Sequence, residues 1–174
     1  ESFAGGGEIN ARELIKAALR MRPDRIIVGE VRGEEAIDML QAMNTGHSGS
    51  LSTGHSNSAA DMVKRLETMV LSGGEIPIAA IRSQIASAID LFIHLEKIHG
   101  RGRRIVEIAA VKGVKNGEIE LESVYRYAFA ADCLQKIKAD FQLKERWERF
   151  DGDMEKKADK SVAGRNRRTR LRKA

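Results

Sequence analysis

Two short stretches hold the residue types that phosphate chemistry uses: MRPDRIIVGEVRG (Met21 to Gly33) and NTGHSGSLSTGHSNSA (Asn44 to Ala59). In the first, the apolar, β-branched run Arg25-Ile26-Ile27-Val28 predicts a short strand buried on both faces, ended by Gly29-Glu30. A carboxylate at the C-terminal end of such a strand stands where open α/β sheets place their ligands. In the second, an alternating run from Ser48 to Thr53 predicts another strand, which delivers His55. A carboxylate at Glu30 can orient and partly deprotonate a water. An imidazole beside it can hydrogen-bond a phosphate oxygen and report whether a γ-phosphate is present. This is the logic of phosphoryl transfer, in which positioning and charge stabilisation do most of the work.

Plainer readings compete with each residue. A lone Gly-Glu is more often a solvated strand end, and only the surrounding segment favours chemistry at Glu30. His47 and His55, with His94, His99 and Cys133, invite a zinc reading, but no close C-x-x-C or H-x₃-H pairing supports one, and no metal site is assigned. Arg32 and Arg65 can reach phosphate or pair with Glu34, Glu35 or Asp61 on a solvated helix face, so both stay outside the catalytic set. Met39, Met43, Met62 and Met69 recur at helical spacing and are expected in the core.

The elements that must position these groups alternate along the chain. Asn10 and Glu13 have capping-box spacing before Leu14, Ile15, Ala18 and Leu19, which predicts a helix from Ala11 to Met21 that Pro23 stops. Helices are expected over Glu34 to Asn44, ended by Gly46, from Ser58 with Met62, Leu66 and Met69 on its apolar face, and over Ile78 to Ala88. Asp90 to Leu95 reads as a strand. Arg104 to Val114 and Glu118 to Tyr127 form a hairpin around Asn116-Gly117, and Ala131 to Phe150 reads as a helix. Glu1 to Gly7 reads as a Gly-rich loop and Asp151 to Ala174 as a polar tail without a fold of its own.

With 42% hydrophobic and 32% charged residues in 174, composition describes an ordinary globular chain. No run approaches the roughly 20 apolar residues that a membrane-crossing helix needs. With no signal-peptide pattern either, the chain reads as cytoplasmic. Cys133 is the single cysteine, so no internal disulfide forms. The net charge of +5 belongs to the end of the chain: Lys and Arg exceed Asp and Glu by 14 to 8 from Ala131 onward and fall short by 16 to 17 before it. A nearly neutral body with a basic end is weaker support for a nucleic-acid binder than the overall charge suggests, and nucleic acid is not expected as a partner. Glu1 in place of an initiator Met reads as a piece of a longer protein.

From about Gly7 to Tyr127 the chain resembles the bacterial type II/IV secretion ATPases, and most closely the CpaF-like ATPases of Flp/Tad pilus assembly. RPDRIIVGEVR matches that family's Walker B region, and LSTGHSNSAADMVKRLE matches its histidine box. The resemblance implies a RecA-like domain, a homo-hexameric ring, ATP with Mg²⁺, and work on inner-membrane pilus or secretion platform proteins from the cytoplasmic face. It carries over Glu30 as catalytic glutamate and His55 as phosphate sensor, with Gly29, Arg32, His47 and Gly54 as nucleotide-binding motif positions.

Two departures qualify that likeness. The strand position that often carries a magnesium-supporting Asp is Gly29, as is common in the family. No G-x-x-x-x-G-K-[ST] occurs, and Gly5-Gly6-Gly7 and Gly73-Gly74 are not followed by Lys-Ser or Lys-Thr. The expected fold is α/β, the C-terminal half of a RecA-like P-loop core with a mostly parallel sheet, over residues 1–128. A helical extension (129–150) and a basic tail (151–174) follow. The intact protein is expected to be an ATPase motor for pilus assembly or secretion, and this chain alone to be inactive. The alternatives are a conjugative DNA-transfer ATPase and a truncated, non-catalytic binding module.

Overall fold

The computed structural model describes residues 10–47 and 49–138. The expected N-terminal loop, the polar tail and the part of the last helix beyond residue 138 lie outside the described residues. The described chain runs α1 (Ala11–Arg20), β1 (Ile27–Val28), α2 (Ala36–Asn44), β2 (Leu51–Ser52), α3 (Ala59–Ser72), α4 (Ile78–Ala88), β3 (Leu91–Ile98), β4 (Gly102–Lys115), β5 (Glu118–Ala128) and β6 (Cys133–Lys136).

Each helix starts and stops for a local reason. The Asn10 side chain accepts the Glu13 N–H at 2.9 Å, satisfying a donor that the first turn of α1 cannot. Its last turn closes through Met21 and Arg22 N–H groups on Ala18 and Leu19 carbonyls, with Arg22 at φ 51 just before Pro23, which cannot continue the helix. Ser58 caps α3 through the Asp61 N–H at 3.0 Å. The apolar faces of α2, α3 and α4 then meet in one core around Leu40, Leu66, Val70, Ile81 and Ile85. Met39 and Met69 are buried in it, while Met43 and Met62 pack partly buried at its edge.

The main sheet is antiparallel, in the order β3-β4-β5-β6, so the expectation of a mostly parallel sheet is corrected. The parallel component is the pair β1–β2, with Ile27 opposite Leu51 and Val28 opposite Ser52. The larger sheet is a run of neighbouring hairpins, and helix α4 packs against β4 and β5. The hairpin at Asn116-Gly117 is as expected: φ of 53° and 81° at these two residues is the left-handed pair that a two-residue turn needs between right-twisted strands.

Two further expectations fail. Strand β1 is not buried on both faces: Ile26 is buried, but Ile27 is 74% exposed, because β2 is its sheet partner among the described residues and Leu51, opposite, is itself 61% exposed. The start of the predicted last helix is instead strand β6, paired with Tyr125–Ala128 of β5. A turn at Asp132 (φ 50) reverses the chain, held by the Tyr127 hydroxyl donating to the Asp132 carboxylate and by Arg101 donating to the Phe129 carbonyl at 2.6 Å. Long-range pairing therefore overrides a local helical pattern.

Candidate active site

Parallel pairing puts the C-terminal ends of β1 and β2 at the same edge, and it is these ends that lead to Glu30 and His55. The pairing continues beyond the strands, since the Val31 N–H donates to the Thr53 carbonyl at 3.0 Å and the Thr53 hydroxyl donates to the Gly29 carbonyl. These bonds hold the two exit loops side by side. As a result His55 Nε2 lies 3.1 Å from Glu30 Oε1.

Glu30 is the centre of the cluster. Arg32 Nη2 sits 2.5 Å from Oε2, and the Glu30 side chain is only 24% exposed. Oε1 is sealed from solvent and accepts no aligned hydrogen bond, although His55 Nε2 is within ion-pair range. The His55 contact is therefore an ion-pair approach and not an aligned hydrogen bond. The Arg32 hydrogen bond holds the Glu30 carboxyl below the usual range; burial opposes this, and Arg32, His55 and Arg65 add favourable charge. Glu30 is therefore ionised, as a water-orienting base must be.

The loop that carries Arg32 is fixed from below. Glu35 Oε1 accepts the Arg32 N–H at 2.7 Å and the Gly33 N–H at 3.1 Å. Burial pushes the Glu35 carboxyl up, but the backbone N–H groups outweigh it and the net direction is down. A Cβ at Gly33 would stand 3.3 Å from Glu35 Oε2, so glycine keeps room for this approach. The Arg32 side chain itself is 73% exposed.

The other sequence-derived positions fall into different roles. Gly54 lies where a Cβ would meet Met62 Cε at 2.5 Å, so the loop before α3 runs tightly over that helix. Gly29 has open space around a would-be Cβ, and its carbonyl rather than its missing side chain is engaged. The His47 ring is half-buried and its Nδ1 lies 3.1 Å from the Ala42 carbonyl, which closes the end of α2. Of the partners left open for Arg32, none of the helix-face carboxylates takes its guanidinium, which pairs with Glu30. Sequence reasoning missed Glu35 and Thr53 as the parts that fix the two loops, and set aside Arg65, whose charge acts on Glu30. Among the described residues no group of three or more His, Cys, Asp or Glu side chains is placed to hold a metal. Glu30 faces two cationic or basic partners, so these residues do not form a protein-built Mg²⁺ cage.

Residues 3–126 match the family model described as Type II/IV secretion system protein. The chain belongs to this family. Among its relatives, the type IV secretion system protein PtlH of Bordetella pertussis is 42% identical over 105 residues, 58% of this chain and 31% of the relative. The conjugal transfer protein TrbB of Rhizobium radiobacter is 38% identical over 114 residues, 66% of this chain and 34% of the relative. The chain is also similar to the crystal structure of the VirB11 ATPase from the Brucella suis type IV secretion system in complex with sulphate. That match has a TM-score of 0.56 and 34% identity, and covers 59% of this chain and 32% of that one. The chain thus spans about a third of the length of the curated relatives it matches.

Proposed function

We propose that this chain is the water-activating part of a type II/IV secretion-class ATPase, with ATP and its Mg²⁺ as substrate. The observation that carries this reading is the pairing of Glu30 with His55 at 3.1 Å where two parallel strands end. In the mechanism, Glu30 orients the attacking water and takes up charge as the water loses its proton. His55, 82% exposed, is free to reach a γ-phosphate oxygen while staying beside Glu30, so loss of that phosphate changes what its ring contacts. Gly54 keeps the His55 loop close to α3, through which the change passes to the helical core. Sulphate bound to the VirB11 relative, a tetrahedral dianion, supports an anion site in this fold.

The pair β1–β2 supports a larger α/β core. Parallel sheets are normally covered on both faces, and two strands alone are marginal in water. Here each strand has two residues, and Ile27 and Leu51 expose an apolar pair. A RecA-like core completed by further sequence, working as a homo-hexamer at the inner face of the cytoplasmic membrane, would cover them. Among the described residues no helix is long and apolar enough to cross a membrane. The test is nucleotide binding by this chain and by one extended upstream through a phosphate-gripping loop: the reading expects binding only by the extended form. Equal, negligible binding by both folded forms would favour a non-catalytic binding module.

For the cargo, the CpaF-like motifs support Flp/Tad pilus assembly with inner-membrane platform proteins as partners. The TrbB relative favours a second reading, conjugal DNA transfer. A steeply salt-dependent DNA affinity would support the second, and salt-insensitive or absent DNA binding the first.

A further inference from the structure

In the geometry described above, both oxygens of Glu30 have a basic neighbour. Oε2 is held by Arg32 at 2.5 Å, and Oε1 is sealed beside His55. A general base needs a lone pair aimed at the water it polarises. With Oε1 sealed, Oε2 is the oxygen left to take the water, and there Arg32 competes with it. The Arg32 backbone is pinned through Glu35, whereas its side chain is 73% exposed and can swing without disturbing the loop.

We propose that Arg32 is a positioning residue that clamps Glu30 and surrenders it to a γ-phosphate, so that the base is released only when the substrate's terminal phosphate draws the guanidinium away. A phosphate offers more charge and a bidentate match to the guanidinium fork than one carboxylate oxygen does. The same side chain thus links occupancy to base release: it leaves Oε2 and binds the group that water will attack. After the exchange His55 and Arg65 still favour the ionised carboxylate, against the burial that opposes it. The clamp rests on ATP being the substrate of this site.

The test uses the chain extended upstream through its phosphate-gripping loop and compares the affinities of a non-hydrolysable ATP analogue and of ADP. In the clamp, the carboxylate competes with the γ-phosphate for Arg32, so Glu30→Gln frees the guanidinium. Exposed ion pairs couple weakly, and analogue binding should tighten about threefold with ADP binding unchanged. The gain should vanish in the Arg32→Gln background and survive in part in Arg32→Lys. ADP affinity also reports that each variant is folded. A gain that is absent, or equally large in the Arg32→Gln background, overturns the clamp while leaving ATP binding intact. If the extended protein binds neither nucleotide, the ATP reading itself fails and the clamp with it.

Discussion

Arg82 Nε donates to Glu67 Oε1 at 2.8 Å and so ties α4 to α3, the helix that begins just after the His55 loop. The same guanidinium donates to the Gly117 carbonyl at 2.5 Å and lies 3.2 Å from Glu118, so one side chain joins two helices to the β4–β5 turn. Both Arg82 and Glu67 are largely buried, at 20% and 13% exposure. Arg82→Ala would leave the largely buried Glu67 carboxylate without its charge partner and is expected to lower stability. Glu67→Gln, which keeps a hydrogen-bond acceptor, should cost less. Urea unfolding midpoints of the two variants check this order; indifference to Arg82→Ala would mean the tie is idle.

Glycine is required at Gly117 by conformation and not by space. Its φ is +81 and nothing lies within 4 Å of an added Cβ, so Gly117→Ala should cost about 1–2 kcal/mol through left-handed backbone strain. Gly29 has the same open surroundings without a positive φ, and Gly29→Ala should stay within about 0.5 kcal/mol of the parent. Thermal unfolding of the pair separates the two causes.

Acid should destabilise the fold in a defined window. The carboxyls of Glu30, Glu122 and Asp132 are lowered chiefly by hydrogen bonds from Arg32, Lys138 and Tyr127 respectively. The unfolded chain therefore binds protons that the folded chain refuses, and stability rises with pH there. The contribution is complete above the ordinary Glu value of 4.5 and is lost as pH falls below it through the lowered folded values. Urea midpoints should be level above that value and decline beneath it. Lys138→Met, which removes the 3.0 Å partner of Glu122, should make the decline shallower. Midpoints that rise on acidification would contradict the assignment.

His55 is 82% exposed and holds no helix or strand together, so His55→Ala should leave the unfolding midpoint within about 0.5 kcal/mol of the parent. In the extended protein the same change should lower ATP turnover at least tenfold while the ATP analogue still binds. Loss of folding, or unchanged turnover, would remove His55 from the proposed chemistry.

Much of this architecture was readable because its signals are local. Asn10 caps α1 as its spacing with Glu13 predicts, and Asn116-Gly117 turns the hairpin. Glu30 and His55 were also legible, since a strand end and the following loop are set by neighbours in sequence. Strand β6 was hidden: Leu134 and Ile137 have helical spacing, and it takes the pairing of Leu134 with Tyr127 and the Ile137 N–H on the Val124 carbonyl at 2.8 Å, with the Asp132 turn, to make the segment a strand. The exposure of Ile27 was hidden for the same reason, because an apolar run does not say how many strands or layers surround it. For Arg32 the sequence left phosphate and the helix-face carboxylates open and not Glu30, although residues two apart on extended backbone share a side. That rule would have pointed from Arg32 to Glu30.

The most direct test of the account is ATP hydrolysis by the chain extended upstream through its phosphate-gripping loop, with and without Glu30→Gln. The account predicts steady turnover that Glu30→Gln lowers by at least two orders of magnitude while nucleotide still binds, as expected for loss of a water-activating base. Turnover indifferent to Glu30→Gln, in a protein shown to be folded and assembled, would contradict it.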